Sequence, residues 1–219
     1  MKLTSFKAAI FDLDGTLIRS EPAWEAAKRR VLANLGVQVP QQVYDAFVGR
    51  GLRGFLMQVL GPNLTEARRN ELADQIGAEA DVLLPQLRQP IAGAAETVLR
   101  LRGAGLRIAV CSSSPRRHIE AALDLLGLTG VVEQVVSGAE LPRGKPDPLP
   151  YLESLRQLRL LSVDAFAVED ALPGAQSAYE AGLTVIGFGS AVVQDPAFAK
   201  LCHSTATDYA SFDRIFGHI

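Results

Sequence analysis

The sequence predicts an α/β fold in which a doubly wound parallel sheet is interrupted by an inserted helical domain. Three observations carry that prediction. Short apolar runs recur with amphipathic, helix-spaced segments between them. Acids, hydroxyls and a lysine gather just beyond the carboxyl ends of those runs, and the stretch between the first two runs has helical periodicity without a strand pattern. Strands of a parallel sheet are covered on both faces and so read as continuous apolar runs, and the helices between them supply the crossovers such a sheet requires.

The predicted strands cover 8–13, 107–112, 134–137, 165–168 and 183–187. Helices are expected at 94–104, 116–126, 149–160 and 176–181, and Gly105, Gly127 and Gly182 stand where three of them stop, as helix-terminating glycines do. Within the insertion, segments 23–35, 42–48, 52–60 and 66–87 carry helical spacing and are divided by Gly36, Pro40, Gly49, Gly61 and Pro62. The chain is therefore expected to form a core from 1–19 and 90–219 and a helical cap from 20–89. Linkers near 18–20 and 89–93 would join them, with Pro90 and Gly93 suiting a hinge confined to few residues.

With 219 residues, 48% hydrophobic, the chain can bury one good core and a modest second one without disulfides or structural metals. Cys111 and Cys202 lie far apart and are expected as reduced thiols behaving as small apolar residues. A net charge of −2 without basic blocks leaves no footprint for nucleic acid. No apolar stretch approaches the roughly 20 residues of a membrane span, and no secretory pattern follows Met1. The expectation is a cytoplasmic protein, monomeric with a dimer as the alternative, whose partner is a small molecule.

Four stations follow the apolar runs. The first is Asp12 and Asp14, followed by Gly15 and Thr16. Side chains at i and i+2 of a strand share a face, so two carboxylates would stand together where Gly15 lets the chain turn. The second is Ser112, Ser113 and Ser114, the third Lys145 between Gly144 and Pro146, and the fourth Glu169 and Asp170. Each has an ordinary reading alone: an Asp-Gly turn, a helix cap, a solvated loop lysine, helix-start acids. Their shared position at strand ends favours one site, because open α/β sheets bind ligands there. Ser114 and Pro115 also predict a helix start, with Ser114 as cap and Pro115 at the first helical position, leaving free N–H groups beside Ser113 for an anion. Asp12, Glu169 and Asp170 offer oxygen ligands only, the donor set of a hard divalent cation such as Mg²⁺.

The ordered set of acid pair, hydroxyl, lysine and acid pair resembles the haloacid dehalogenase superfamily, and within it the aspartate-dependent phosphotransferases. The resemblance covers nearly the whole chain. It implies a Rossmann-like core with a four-helix cap and a Mg²⁺-dependent phosphomonoester hydrolase acting on a small phosphorylated metabolite of the sugar-phosphate kind. By the same resemblance Asp12 is the nucleophile that forms an aspartyl-phosphate, ionised at neutral pH because an ordinary Asp titrates near ~3.9. Asp14 is the general acid and base, Ser112 the phosphate-binding hydroxyl, and Lys145 the neutralising cation. The metal is held by Asp12, Glu169, Asp170 and the Asp14 carbonyl.

Related chemistries are weighed on single residues. Dehalogenases and phosphonatases lack the second acid, so Asp14 disfavours both. β-Phosphoglucomutase keeps both aspartates and remains the alternative, but Trp24 stands where its pattern has a histidine, and Leu52 where it has a cap arginine, with Arg50 and Arg53 beside it. Arg19 departs from the acid more common in phosphatases. A binding module that merely keeps the fold is disfavoured because every charged motif residue is present. Trp24, Arg50, Arg53 and Ser113 are candidate substrate contacts. His118, His203 and His218 lie outside the stations and are expected in surface or packing roles.

Overall fold

The computed structural model describes residues 1–47 and 51–217. Six parallel strands form the main sheet: β1 (Ala8–Phe11), β4 (Arg107–Ser112), β5 (Gln134–Ser137), β6 (Ala165–Glu169), β7 (Thr184–Phe188) and β8 (Ser204–Ala206), in the order β5-β4-β1-β6-β7-β8. β1 lies in the middle, with Ala8 level with Arg107 on one side and Ala165 on the other. The chain winds outward from β1 through β4 to β5, then crosses back to β6 and winds the other way. The reversal opens a crevice at the carboxyl end of β1, where α/β sheets of this kind take their ligands.

The strand alternation is visible in the packing. Ala9 and Phe11 join one apolar layer with Val98 and Leu101 of α5 (Ala94–Gly103) and Ile119 of α6 (Arg116–Leu125). Ala8 and Ile10 face the opposite layer with Tyr151 and Leu155 of α7 (Leu149–Leu158) and Ala175 and Ala178 of α8 (Leu172–Glu180). Both faces are covered, which is why β1 is apolar at every position.

Two short strands, β2 (Ile18–Arg19) and β3 (Gln89–Pro90), pair antiparallel and tie together the two chain crossings. Between them lie α1 (Glu21–Asn34), α2 (Gln41–Asp45), α3 (Leu52–Leu60) and α4 (Glu66–Leu87). These four helices bury their own apolar cluster, including Ala27, Leu32, Phe55, Leu56, Ile76 and Leu84. The predicted segment 42–48 is shorter as observed, and its last residue, Val48, lies outside the described residues.

Two expectations about elements need correcting. The helix expected from Gln176 begins at Leu172. Pro173 sits in its first turn, where a missing N–H costs nothing, and Gly174 is there for contact: a Cβ on it would lie 2.0 Å from Glu169 Oε2. The second concerns the segment after 188, which contains β8 and three short helices, α9 (Ala191–Gln194), α10 (Pro196–Leu201) and α11 (Tyr209–Ile215), that periodicity did not predict. Elements this short hold too few repeats to set a pattern. No described helix is long and apolar enough to cross a membrane.

Candidate active site

All four sequence stations meet at the carboxyl ends of β1, β4 and β6. The Asp12 amide donates to the Val168 carbonyl at 2.9 Å, carrying the sheet ladder one residue beyond β1. The chain then turns sharply, with Gly15 N–H donating to the Ile18 carbonyl at 2.8 Å. Gly15 has φ of +88°, and a Cβ there would fall 1.9 Å from Asp170 Oδ2. The residue must therefore be glycine twice over, for its left-handed backbone and for the close approach of Asp170.

Lys145 is the hub of the buried part. Its ammonium donates to Asp12 Oδ1 at 2.6 Å, Glu169 Oε1 at 2.6 Å and the Cys111 carbonyl at 2.9 Å, which uses all three of its protons. The Tyr151 hydroxyl donates to the same Glu169 oxygen, and the Tyr151 ring lies under the ammonium, 5.2 Å from centroid to nitrogen. Burial alone would drive the Lys145 proton off, but Asp12 and Glu169 outweigh it and hold the amine well above its ordinary range.

Asp12, Glu169 and Asp170 place ligand oxygens within 4.8 Å of one another, an acidic cluster that can hold a metal ion. Burial raises Asp12 well above the usual carboxylate range, opposed by Lys145 and reinforced by Glu169 and Asp14. Asp170 is raised by burial and by Asp12, Glu169 and Glu21. The strand end that positions the Asp12 carboxylate also takes it out of water, which opposes its charged form, while the Lys145 ammonium supports it. One ammonium cannot neutralise this many acids, and a divalent cation on the remaining oxygens fits the donor set.

Asp14 faces the cavity rather than the cluster. Its carboxylate accepts from Ser112 Oγ at 3.0 Å, from Ser114 Oγ at 2.7 Å and from the Ser20 hydroxyl. Ser112 Oγ also accepts from the Ser114 amide at 3.0 Å. This corrects the reading of Ser114 as a helix cap. The helix starts at Arg116 with Pro115 in the cap position, and the Ser114 side chain is drawn to Asp14 by the stronger, charge-assisted bond.

Above the core site a cavity of about 790 Å³ lies between core and cap. Its lining includes Asp14, Ser113, Ser114 and Lys145 from the core, and Glu21, Trp24, Lys28 and Arg53 from the cap. Of the candidate substrate contacts, Ser113, Trp24 and Arg53 therefore line the cavity, whereas Arg50 lies outside the described residues. Cap and core meet at one edge through Asp81 of α4, which accepts from Arg117 at 3.0 and 3.2 Å and contacts His118 Nε2. The His118 ring in turn sits edge-on to Trp24 at 5.1 Å. His118 thus packs under a cavity-lining aromatic, while His203 Nδ1 accepts from the Val185 amide at 3.1 Å. His218 lies outside the described residues.

Sequence reasoning missed Ser20, Ser114 as a partner of Asp14, Tyr151 and Lys28. A serine at the first residue of the insertion carries no motif. Tyr151 reads as an ordinary apolar position of an amphipathic helix, and only its approach to Glu169 across the sheet reveals the hydroxyl's task.

A family model for the haloacid dehalogenase-like hydrolases matches residues 6–182. The chain belongs to this family. It is 32% identical over 177 residues to hexitol phosphatase B of Escherichia coli strain K12, covering 76% of each chain. It is 30% identical over 184 residues to validoxylamine A 7'-phosphate phosphatase of Streptomyces hygroscopicus subsp. limoneus, covering 83% of this chain and 85% of that one. The β-phosphoglucomutase of Clostridium difficile has the same fold, with a TM-score of 0.84 at 19% identity over 96% of this chain and 95% of that one. Residues 6–182 run from the start of β1 to the end of α8, so the matched family region contains every motif station.

Proposed function

We propose that this haloacid dehalogenase-like hydrolase is a Mg²⁺-dependent phosphatase of small phosphorylated metabolites, of the sugar-phosphate class, working through an aspartyl-phosphate on Asp12. The observation that carries the reading is the pairing of Asp12 with Lys145 and the acidic cluster on one side, and with Asp14 at the cavity wall on the other. Asp12 would attack phosphorus in line while Lys145 keeps its carboxylate oriented and offsets negative charge. Asp12, Glu169, Asp170 and the Asp14 carbonyl would hold the cation, whose chemistry is to neutralise the acids and the transferring phosphate.

Asp14, in its protonated form, would give its proton to the leaving oxygen, and the resulting carboxylate would take one back from the water that attacks the aspartyl-phosphate, which restores the acid and releases phosphate. The single proton of the Ser112 hydroxyl is donated to Asp14. Phosphate binding by Ser112 would require that proton to turn toward the substrate, which loosens one of the three bonds holding Asp14. Arrival of the phosphate and release of Asp14 for proton transfer would then be linked through one hydroxyl.

We also propose that 20–89 acts as a cap domain on a core of 1–19 and 90–219, moving about the paired linkers β2 and β3. Its closure would exclude water from the phosphoryl group, and Ser113, Trp24, Arg50 and Arg53 would contact the substrate. Likeness to named phosphatases at 30–32% identity, together with Trp24 at the mutase-histidine position, favours hydrolysis over transfer between sugar positions. The test is a panel of phosphomonoesters assayed with Mg²⁺ and after exhaustive chelation. Metal-dependent phosphate release is expected; full activity in chelator, or no release from any ester, would overturn the reading.

A further inference from the structure

The cap presents to the cavity a cation that the core chemistry does not use. Lys28 lies one helical turn beyond Trp24 on α1, so the two share a face, and both line the same cavity as Asp14. The Phe55 ring covers one side of the ammonium, 4.9 Å from its nitrogen. Among the described residues Lys28 makes no hydrogen bond, and no carboxylate lies within 4.0 Å of it. The contrast with Lys145, whose protons all have oxygen acceptors, is complete.

The other charges around Lys28 do not satisfy it. Glu25 is bound to Arg29 and Gln41, and Asp45 to Gln41. Glu21 is pushed upward by its own burial, and Asp74 is exposed at the rim. Burial pushes Lys28 down to about 8, against the pull of Glu25, Asp14 and Glu21. Arg53, on the same wall, likewise has no ion pair among the described residues. Glu21 and Asp74 line the same wall, likewise without an ion pair among the described residues, but neither comes within 4.0 Å of the Lys28 ammonium, which lines the same cavity as Asp14 with its protons unused.

We infer that Lys28 is a specificity residue, selecting phosphomonoesters whose leaving group carries a second negative charge, a carboxylate or another phosphate. The inference rests on the phosphatase reading and narrows its substrate class. A neutral hydroxyl could accept one of the lysine's protons, but only an anionic oxygen also cancels the desolvated charge, and charge-assisted bonds are the stronger kind. A cavity of about 790 Å³ is large enough for a phosphorylated sugar bearing such a group.

The test is calorimetric binding to the Asp12→Asn protein, which holds ligands without turnover, with and without Lys28→Met. The probes are glucose 6-phosphate, 6-phosphogluconate and glucose 1,6-bisphosphate. With Lys28 present, one or both of the doubly anionic probes should bind more tightly than glucose 6-phosphate, and the tighter of them identifies carboxylate or phosphate. Lys28→Met should weaken that probe roughly ten- to a hundredfold and glucose 6-phosphate by less than about threefold. Lys28→Arg should keep the preference, and Lys28→Gln should repeat the loss if the methionine variant does not fold. Equal losses for all three probes, or no preference with Lys28 present, would overturn the inference. Assay of the native chain against p-nitrophenyl phosphate with Mg²⁺ tests the phosphatase reading separately. Failure there leaves the binding ratio intact as a measure of Lys28.

Discussion

In the core, Asp12, Lys145 and Glu169 are buried, with the Lys145 ammonium bonded to both carboxylates and the Tyr151 hydroxyl bonded to Glu169. Across the cavity, Trp24 and Lys28 are half-buried, Arg53 is exposed, and they share few polar contacts with their own helices. The core holds charges in a fixed arrangement at the cost of desolvating them, whereas the cap keeps donors uncommitted. A transition state common to all phosphate esters rewards the first arrangement, and a leaving group that differs between substrates rewards the second. Substitutions on the two sides should accordingly fail in different ways.

The largest effect is expected from Asp12→Asn, which removes the proposed nucleophile with almost no change in volume. Turnover should fall by at least ~10⁴-fold, with circular dichroism and thermal unfolding close to the original. A folded variant retaining near-normal turnover would remove Asp12 from the chemistry. Lys145→Met should act on stability as well as rate, because it leaves Asp12 and Glu169 buried without their counter-charge. A loss of about 3 kcal/mol is expected from denaturant unfolding in chelator, and an unchanged midpoint would contradict the ionic hub.

On the cap side, Arg53→Ala should leave stability unchanged. It should raise KM for the physiological substrate roughly two- to fivefold and less for p-nitrophenyl phosphate, whose leaving group is small. Parallel changes for both substrates would mean that this edge of the cap does not read the leaving group.

The smallest effect belongs to the boundary between the two regions. Burial lowers the His118 pKa below its ordinary value of 6.5, although Asp81 pulls it upward. The unfolded chain therefore takes up a proton first as pH falls, so this residue's contribution is present above about 6.5 and lost below it. His118→Gln should flatten the decline in melting temperature from pH 7 to pH 5, and a slope identical to the parent would show that His118 does not couple the cap edge to pH.

By itself, the sequence determined the first five strands of the main sheet along the chain, the inserted helices and the four stations, but not β8 or the short helices after residue 188, whose few residues set no period. Asp12, Asp14, Ser112, Lys145, Glu169 and Asp170 could all be picked out in the sequence. Only the tertiary structure decided what these residues cost and whom they touch. Asp12 is pushed upward because the strands on both sides exclude water from it, and Ser114 turns from its helix because Asp14 arrives from a hundred residues away. Tyr151 becomes part of the site for the same reason, when α7 is laid across the sheet beneath Lys145. Lys28 reads in sequence as one more charged helix position, and it acquires a direction only when α1 is packed over the cavity. Periodicity along a chain reports which face is buried, whereas desolvation and long-range hydrogen bonds depend on elements that meet only after folding.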